Sequence, residues 1–329
     1  MTSLAPTLEA FFTERLYRQR QASPHTIASY RDTFRLLLRF AEERTGKAPS
    51  QLDLRDLDAD LVSAFLDHLE TDRSNTVRTR NVRMAAIRSM FRFAAYREPA
   101  HAEQIQRVLA IPDKRVHRPV LTYLSPVEID ALLAAPDLTA WLGRRDHALL
   151  VVALQTGLRV TELCGLRIVD VTLGSGPHVR CHGKGRKDRC TPLTRHTIAV
   201  LKPWLAERGG TSDDALFPTR GGGHLNRDSI GDLVDRYVTI AARTCPTWSS
   251  RRVTPHTLRH TAAMTLLAAG VETSVIALWL GHEHVQTTQI YLHSDLSMKQ
   301  AALDRTKPPG TRAGRYKPPD RLLAFLEGL

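Results

Sequence analysis

Apolar residues recur at the spacing of an α-helix throughout the first 110 residues of the chain. A spacing of three to four residues places apolar side chains on one face of each helix. No segment before residue 112 alternates between apolar and polar residues as a β-strand does. We therefore expect the N-terminal part to be wholly α-helical. The predicted helices cover residues 8–19, 23–43, 58–70, 78–96 and 102–109.

The C-terminal part combines helical periodicity with one short β-pattern. Residues 178–182 and 188–192 flank the basic turn 183–187, which predicts a β-hairpin with a basic tip. Ser125 provides an N-cap for the first helix of this part. The predicted helices cover residues 125–134, 144–156, 160–165, 196–208, 227–243, 257–270, 274–280 and 287–292. This part is therefore expected to be mixed α and β.

A segment rich in proline and basic residues separates the two parts. A chain of 329 residues suits two domains. We expect an α-helical domain over 1–111, a linker over 112–124, a mixed domain over 125–300 and a tethered tail over 301–329. The predicted fold class is mainly α with a small β-sheet. The tail ends in a short apolar helix, and docking of this helix on a neighbouring subunit or on its own chain both remain open.

The charge balance indicates a polyanionic partner. Lys and Arg number 46 against 34 Asp and Glu, which gives a net charge of +12, and nucleic acid is the commonest partner of so basic a protein. An apolar content of 42% excludes a disordered or collagen-like chain. The apolar runs are shorter than the roughly 18 residues of a membrane span, and no signal peptide is recognisable. We expect a soluble, cytoplasmic protein that associates with the nucleoid when bound to DNA.

The cysteines lack the spacing of a metal site or of a redox pair. In a reducing cytoplasm each is expected to be a small buried apolar side chain. They are Cys164, Cys181, Cys190 and Cys245.

The helix predicted over 78–96 is rich in arginine. Residues 73–97 contain seven arginines and no acidic residue. Solvated faces usually mix charges of both signs, so we favour contact with a DNA backbone over a merely solvated face. The predicted apolar stripe comprises Val82, Ala86, Ile87, Met90, Phe91 and Ala94. The arginines predicted to contact DNA are Arg78, Arg80, Arg83, Arg88 and Arg92.

Candidate chemistry begins with two motifs in the middle of the chain. In the string T-G-L-R-V-T-E-L, Arg159 precedes Glu162 by three residues, which places both on one helical face. Lys184 lies between two glycines in the predicted hairpin turn. An arginine near a glutamate is usually a structural ion pair, so neither motif alone is specific.

Two further motifs follow. In P-H-T-L-R-H, His256 and Arg259 share a helical face, and Tyr291 lies nine residues after His282. His256 and His260 have the spacing of two zinc ligands, but the glutamate of the metalloprotease helix and a suitably placed acidic third ligand are missing. We therefore expect no metal site. The P-loop and the Rossmann glycine pattern are also absent from the sequence.

Taken together and in this order, these residues resemble the signature of the tyrosine recombinase (phage integrase) family. The surrounding strings G-K-G-R-K-D-R, T-P-H-T-L-R-H-T and L-G-H-E-H-V-Q-T-T-Q-I-Y are also similar to that family's motifs. The matching positions are Arg159, Lys184, His256, Arg259, His282 and Tyr291. The resemblance extends from about residue 8 to residue 293, and the tail after residue 301 is similar to that of some transposon-borne members.

The resemblance implies an N-terminal SAM-like core-binding domain and a C-terminal catalytic domain. It also implies a reaction without metal, ATP or any cofactor. The expected partners are double-stranded DNA with inverted binding arms, further copies of the chain in a tetramer, and accessory recombinases. The C-terminal helix is a candidate for the contact between protomers.

The family's chemistry implies that Tyr291 is the nucleophile and forms a 3′-phosphotyrosyl link. Arg159 and Arg259 can each present paired donors to the phosphate, and His282 adds a further donor. These groups neutralise the charge of the pentacoordinate phosphorane.

The remaining groups are implied to move protons or to position others. Lys184 protonates the leaving 5′-oxygen. His256 hydrogen-bonds the tyrosine or the phosphate and can act as the general base, and Glu162 orients Arg159 and His256. Arg186 and Lys187, in the hairpin turn, are predicted to contact DNA.

Four other protein classes compete with a recombinase. A type IB topoisomerase-like enzyme shares much of the chemistry but relaxes DNA without exchanging partners, and a hairpin-forming protelomerase usually has a larger chain. A non-catalytic DNA-binding regulator would be expected to lack at least one of the six catalytic residues. A metal-dependent nuclease would need a cluster of acidic residues, and none is visible in the sequence. We therefore favour a site-specific recombinase. Its motifs do not indicate whether its biological role is integration, excision, transposition or chromosome resolution.

Overall fold

Helices make up most of both halves of the chain. The computed structural model describes residues 3–116, 121–182, 188–245, 252–281 and 288. The chain divides into two units, Met1–Pro119 and Val120–Leu329. Each unit has its own large hydrophobic core, and a small β-sheet lies in the second.

The first unit is helical throughout its described residues. Its elements are α1 (Leu4–Ala10, continued by a π-helix over Phe11–Gln19), α2 (Pro24–Thr45), α3 (Ala59–Thr71), α4 (Val77–Arg97) and α5 (Ala102–Leu109), with 3₁₀ turns at Pro49–Gln51, Leu54–Asp56 and Pro99–His101. Helix α1 starts earlier than predicted because Leu4 is buried and its N–H donates to the Leu52 carbonyl at 3.0 Å. Helix α2 starts where expected, since Ser23 accepts the Thr26 N–H and Gly46 ends the helix at φ 70°.

The predicted apolar stripe of α4 is buried except at one position. Val82 is 50% exposed, so its assignment to the core was wrong. The other predicted positions are buried, and the buried face also includes Arg80 and Met84, which precede Ile87 at intervals of three or four residues. Arg80 thus lies within the core-facing stripe rather than beside it.

Arg80 and Arg88 correct the prediction that the arginines of α4 face solvent. The side chain of Arg80 is 6% exposed, and its Nη1 donates to the Pro112 carbonyl at 3.0 Å. Arg88 donates to the Asp113 carboxylate at 2.9 Å and to the Ile111 carbonyl. Both guanidinium groups therefore hold the segment that follows α5, because its carbonyls need donors.

The other arginines of α4 are more accessible. Arg78 and Arg92 are exposed, as predicted. Arg83 is half-buried, with Nη1 3.5 Å from the Thr33 hydroxyl.

The second unit packs its helices around α7. Its elements are α6 (Pro126–Ala134), α7 (Trp141–Thr156), α8 (Val160–Gly165), a 3₁₀ turn (Ile168–Asp170), β1 (Val171–Thr172), β2 (His178–His182), β3 (Asp188–Pro192), α9 (Arg195–Arg208), α10 (Arg227–Ala241), α11 (Pro255–Ala268) and α12 (Thr273–Leu280). Leu149, Leu150 and Val152 of α7 are buried in the core. The central helix is thus apolar on most sides, as a helix enclosed by others must be.

The sheet is antiparallel, in the order β1-β2-β3. Val179 pairs with Thr191 and Cys181 pairs with Arg189, which is the strand pairing expected of the predicted hairpin. Strand β1 was not predicted, since two residues are too short to show an alternating pattern. The turn 183–187, the predicted helix 287–292 and the apolar helix predicted at the end of the tail, over 322–329, lie outside the described residues, except for the buried Thr288.

The cysteines are only partly as expected. Cys181 and Cys245 are buried and Cys164 is half-buried, but Cys190 is exposed because it lies on the outward face of β3. Among the described residues, no helix is long and apolar enough to cross a membrane.

Candidate active site

A sharp turn between α7 and α8 positions Arg159. Helix α7 ends at Gly157, whose φ of 63° reverses the chain. A Cβ on this residue would lie 2.6 Å from a methyl carbon of Leu280, so the close packing requires glycine. Arg159 then occupies the N-cap position of α8, where Glu162 accepts its backbone N–H at 2.7 Å and its Nη1–H at 2.9 Å.

Helix α11 supplies the second arginine and a histidine. Thr254 caps this helix and Pro255 occupies its first turn. Arg259 is 3% exposed and donates to the carbonyls of Gly157 at 2.6 Å and Leu280 at 2.8 Å. His256 lies almost one turn earlier on the same face and reaches solvent.

Three arginines converge on the C-terminal end of α12. Arg189 Nε donates to the Trp279 carbonyl at 3.2 Å, Arg259 donates to the Leu280 carbonyl, and Arg159 Nη2 donates to the Gly281 carbonyl at 2.8 Å. These carbonyls form the negative end of the helix and need donors. The arrangement places Arg159 and Arg259 on the carbonyls directly before His282, and His256 lies close enough to both guanidinium groups to feel their charge.

Arg189, on β3, was not singled out from the sequence. Its Nη1 and Nη2 donate to the two oxygens of Glu162 at 2.9 and 2.8 Å. Alternation along β3 places Arg189 on the same inward face as the buried Thr191. An inward-facing arginine needs a carboxylate partner, and this signal could have pointed to its role.

The charges of this cluster favour an anionic ligand. Burial alone would raise the pKa of Glu162, but the hydrogen bonds and positive charges of Arg189 and Arg159 lower it below its ordinary value. The carboxylate is therefore ionised at neutral pH and is paired with the guanidinium groups of Arg159 and Arg189, while Arg259 adds a third guanidinium group at the Leu280 carbonyl. The net positive charge suits a phosphate group.

The histidines of α11 are held neutral. Partial burial, followed by the positive charges of Arg259 and Arg159, lowers the pKa of His256. Burial also lowers the pKa of His260 to about 4. The two rings lie 4.2 Å apart, edge to face. A neutral His256 can accept a proton or a hydrogen bond at neutral pH.

Several predicted site residues lie outside the described part of the chain: Lys184, Arg186, Lys187, His282 and Tyr291. Within the described part, no three His, Cys, Asp or Glu side chains are grouped so that they could hold a metal ion.

Comparison with known proteins agrees with this geometry. Residues 122–298 match the phage integrase family, and residues 10–98 match the phage integrase N-terminal SAM-like domain. The chain belongs to the phage integrase family. This confirms the predicted family and fold class. The integrase is a site-specific DNA recombinase of the tyrosine type and acts as a DNA strand transferase, as predicted.

Curated relatives match almost the whole integrase chain. The putative integrase/recombinase y4rC of Sinorhizobium fredii is 54% identical, over 99% of this chain and 98% of that protein. Tyrosine recombinase XerC of Myxococcus xanthus is 33% identical, over 94% of this chain and 99% of that protein. Both recombinases therefore match the two units together.

Solved structures confirm the fold. The XerH site-specific recombinase in a pre-cleavage complex with its difH substrate has a TM-score of 0.63 at 23% identity, covering 87% of this chain and 81% of that chain. The Tn1549 transposon integrase in complex with transposon right end DNA has a TM-score of 0.66 at 16% identity, covering 92% and 99%.

Proposed function

We propose that this integrase cleaves each DNA strand by attack of Tyr291 on a phosphodiester. The attack forms a bond between the tyrosine oxygen and phosphorus, and it breaks the bond from phosphorus to the 5′-oxygen. The products are a 3′-phosphotyrosyl link and a free 5′-hydroxyl. Since the link conserves the energy of the phosphodiester, attack by another strand's 5′-hydroxyl rejoins DNA without ATP.

The convergence of Arg159, Arg259 and His256 beside the end of α12 is the observation that carries this proposal. Arg159 is 32% exposed on its side chain and can reach a bound phosphate, while the buried Arg259 provides fixed positive charge. Such preorganised donors stabilise the additional charge of a pentacoordinate phosphorane. His282 follows directly after the carbonyls that these arginines hold, and we assign it a further hydrogen bond to the phosphate.

Proton transfers complete the mechanism. We assign the general base to His256, because its lowered pKa keeps the imidazole neutral. Lys184 is assigned the general acid that protonates the leaving 5′-oxygen. Glu162 orients Arg159 through two hydrogen bonds. No step in this scheme needs a cofactor or a metal ion.

The integrase is proposed to act as a tetramer on two DNA duplexes with inverted arms. Residues 1–111 would form the core-binding domain, residues 112–124 the linker, residues 125–300 the catalytic domain, and residues 301–329 a tail that docks between protomers. Arg78 and Arg92, which are exposed on α4, would contact the DNA backbone, together with Arg186 and Lys187. Accessory recombinases are proposed as further partners.

We propose that the element moved is a mobile DNA segment, since the relative y4rC carries the name integrase/recombinase. Integration, excision and transposition all use the same strand-transfer chemistry. A cytoplasmic location follows from acting on such DNA in a bacterial host.

Covalent trapping in EDTA tests this function. Nicked duplexes from DNA flanking the gene are incubated with wild-type protein and with Tyr291→Phe. The proposal predicts a protein–DNA adduct at a 3′-phosphate for the wild type alone. Adducts with both proteins would move the nucleophile elsewhere, and binding without any adduct would favour the non-catalytic regulator. Relaxation of plasmid DNA without strand exchange would favour the topoisomerase-like alternative.

A further inference from the structure

We propose that Arg189 is a positioning residue that neutralises Glu162 and thereby leaves the positive charge of Arg159 available to the DNA phosphate. This inference rests on the proposed function, because it concerns the same phosphate. It assigns different tasks to the two arginines on either side of one carboxylate.

The geometry separates the two arginines. Arg189 gives each oxygen of Glu162 one hydrogen bond, at 2.9 and 2.8 Å, in the two-pronged arrangement that fits a carboxylate. The guanidinium of Arg159 gives Glu162 a single hydrogen bond, at 2.9 Å, and its other described bond goes to the Gly281 carbonyl. Glu162 is therefore matched chiefly by Arg189.

The exposed fractions of the side chains also separate the two arginines. The side chain of Arg189 is 13% exposed, that of Glu162 is 4% exposed and that of Arg159 is 32% exposed. Arg189 and Glu162 thus form the inner pair, and Arg159 forms the outer surface. A charge at the outer position can meet a phosphate, whereas the inner charge is already used.

Arg189 also packs against the chain that leads to His282. Its Nε donates to the Trp279 carbonyl, and a Cβ on Gly281 would lie 2.7 Å from its Nη1. The φ of Gly281 is 66°, a left-handed conformation that favours glycine at this position. The guanidinium therefore holds the carboxylate and the end of α12 at once.

The charges of these side chains show what the loss of Arg189 would do to phosphate binding. Arg159, Arg189 and Glu162 together carry a net charge of +1, to which Arg259 adds another. Without Arg189, the negative charge of Glu162 is neutralised by Arg159 instead. The attraction between Arg159 and an anionic phosphate then weakens, because the field of the unscreened carboxylate opposes it. Removing the carboxylate as well should restore much of the lost attraction.

The test compares Arg189→Met, Glu162→Gln and the double variant on two nicked duplexes. One duplex has an ordinary scissile phosphate, and the other has an uncharged methylphosphonate there. Removing a single charge-stabilising donor costs about 10²–10³-fold in rate. Since Arg189 acts through another residue, we expect Arg189→Met to slow cleavage of the ordinary duplex by about tenfold or more, and that of the methylphosphonate duplex by less than about threefold. The double variant should be faster than Arg189→Met on the ordinary duplex.

Arg144→Met is the matched control. Arg144 forms a similar two-pronged pair with Glu207, at 2.7 and 2.6 Å, on α7 and α9 rather than at the site. This variant should cleave both duplexes at the wild-type rate. Circular dichroism checks folding. If Arg189→Met does not fold, Arg189→Gln, which keeps a hydrogen-bond donor but loses the charge, replaces it. The double variant, which leaves no unmatched carboxylate, is compared with Glu162→Gln.

Equal slowing on both duplexes, or a double variant no faster than the single one, would overturn the role of Arg189. Where Arg189→Gln is used, the same two results overturn it. A wild-type protein that forms no Tyr291-dependent adduct with the ordinary duplex would overturn the proposed function instead, and this inference with it.

Discussion

Replacing Arg80 by alanine should destabilise α4, although Arg80 looks like a DNA-binding residue in the sequence. Its side chain is buried, and Nη1 donates to the carbonyl of Pro112 at 3.0 Å and to Asn81 at 3.1 Å. A hydrogen bond from a charged group contributes about 1.5–3 kcal/mol. Glu70, whose carboxylate lies 3.8 Å from Arg80 Nε, would stay paired with Lys114 Nζ at 2.7 Å, which limits the loss of stability. We therefore expect Arg80→Ala to cost about 2–4 kcal/mol in the free energy of unfolding.

Hydrogen exchange measured by mass spectrometry on the full-length chain, at increasing urea concentrations, gives this free energy locally. The peptides that matter cover residues 77–116, which include α4 and the segment that Arg80 holds. Arg78→Ala is the matched control, since Arg78 is exposed on the same helix. An exposed substitution of this kind should change the free energy by less than about 0.5 kcal/mol.

The result that would refute this reasoning is equal protection of residues 77–116 in the two variants. Arg80 would then contribute no more than an exposed arginine, and its bond to the Pro112 carbonyl would not hold the segment. Weaker exchange protection in Arg80→Ala alone would support the division of the arginines of α4 into structural and accessible ones.

Three further predictions concern function. Replacing both Arg78 and Arg92 by alanine should weaken DNA binding. The slope of the logarithm of the binding constant against the logarithm of the salt concentration should become about 2 less steep, since each phosphate contact contributes about 0.9. An unchanged slope in a fluorescence titration would argue against these contacts. The rate of wild-type cleavage should stay constant as pH falls to about 6.5, the ordinary pKa of histidine. It should decline only below that pH, because the pKa of His256 is lowered. His256→Gln should abolish the decline, and a decline that persists in this variant would assign it to another group. Deleting residues 309–329 should preserve cleavage yet weaken tetramer assembly in gel-filtration of the DNA complex, and a truncated protein that assembles normally would contradict a docking role for the tail.

The fold class could be predicted because helical periodicity is a local property. Each long helix shows its apolar spacing within its own residues, and caps such as Ser23 and Thr254 follow directly from residue type. Strand β1 could not be found in this way, since its two residues are placed by pairing with β2. The start of α1 was missed because Leu4 is held by a backbone hydrogen bond to Leu52, which is distant in sequence.

The arginines of α4 show where periodicity is insufficient. The spacing from Arg80 to Met84 and Ile87 places it on the buried face, but the segment at Pro112 and the Glu70 carboxylate, 3.8 Å from Arg80 Nε, explain how a charge is tolerated there. That segment supplies carbonyl acceptors from 32 residues away. The sequence shows that position 80 carries a positive charge, but the partners of that charge are determined by tertiary structure.

The candidate site was visible for a different reason. Its residues form short, ordered motifs whose spacing is itself the signal, so Arg159, Glu162, His256 and Arg259 could be chosen without knowing the fold. Arg189 ends the string G-K-G-R-K-D-R, but its pairing with Glu162, which lies 27 residues earlier, is visible only in the structure. A residue that acts through another residue is found in the contacts rather than in the spacing.

The end of α12 joins folding to catalysis in this integrase. Arg159 and Arg259 hold the Gly281 and Leu280 carbonyls while the same guanidinium groups face the proposed phosphate. Removing either arginine would therefore free a helix end beside His282 as well as remove charge. A loss of activity in such a variant combines both effects. Arg189 also holds a carbonyl at this end, that of Trp279, but it lies on the inner side with Glu162, so its replacement leaves both arginines of the proposed phosphate site in place.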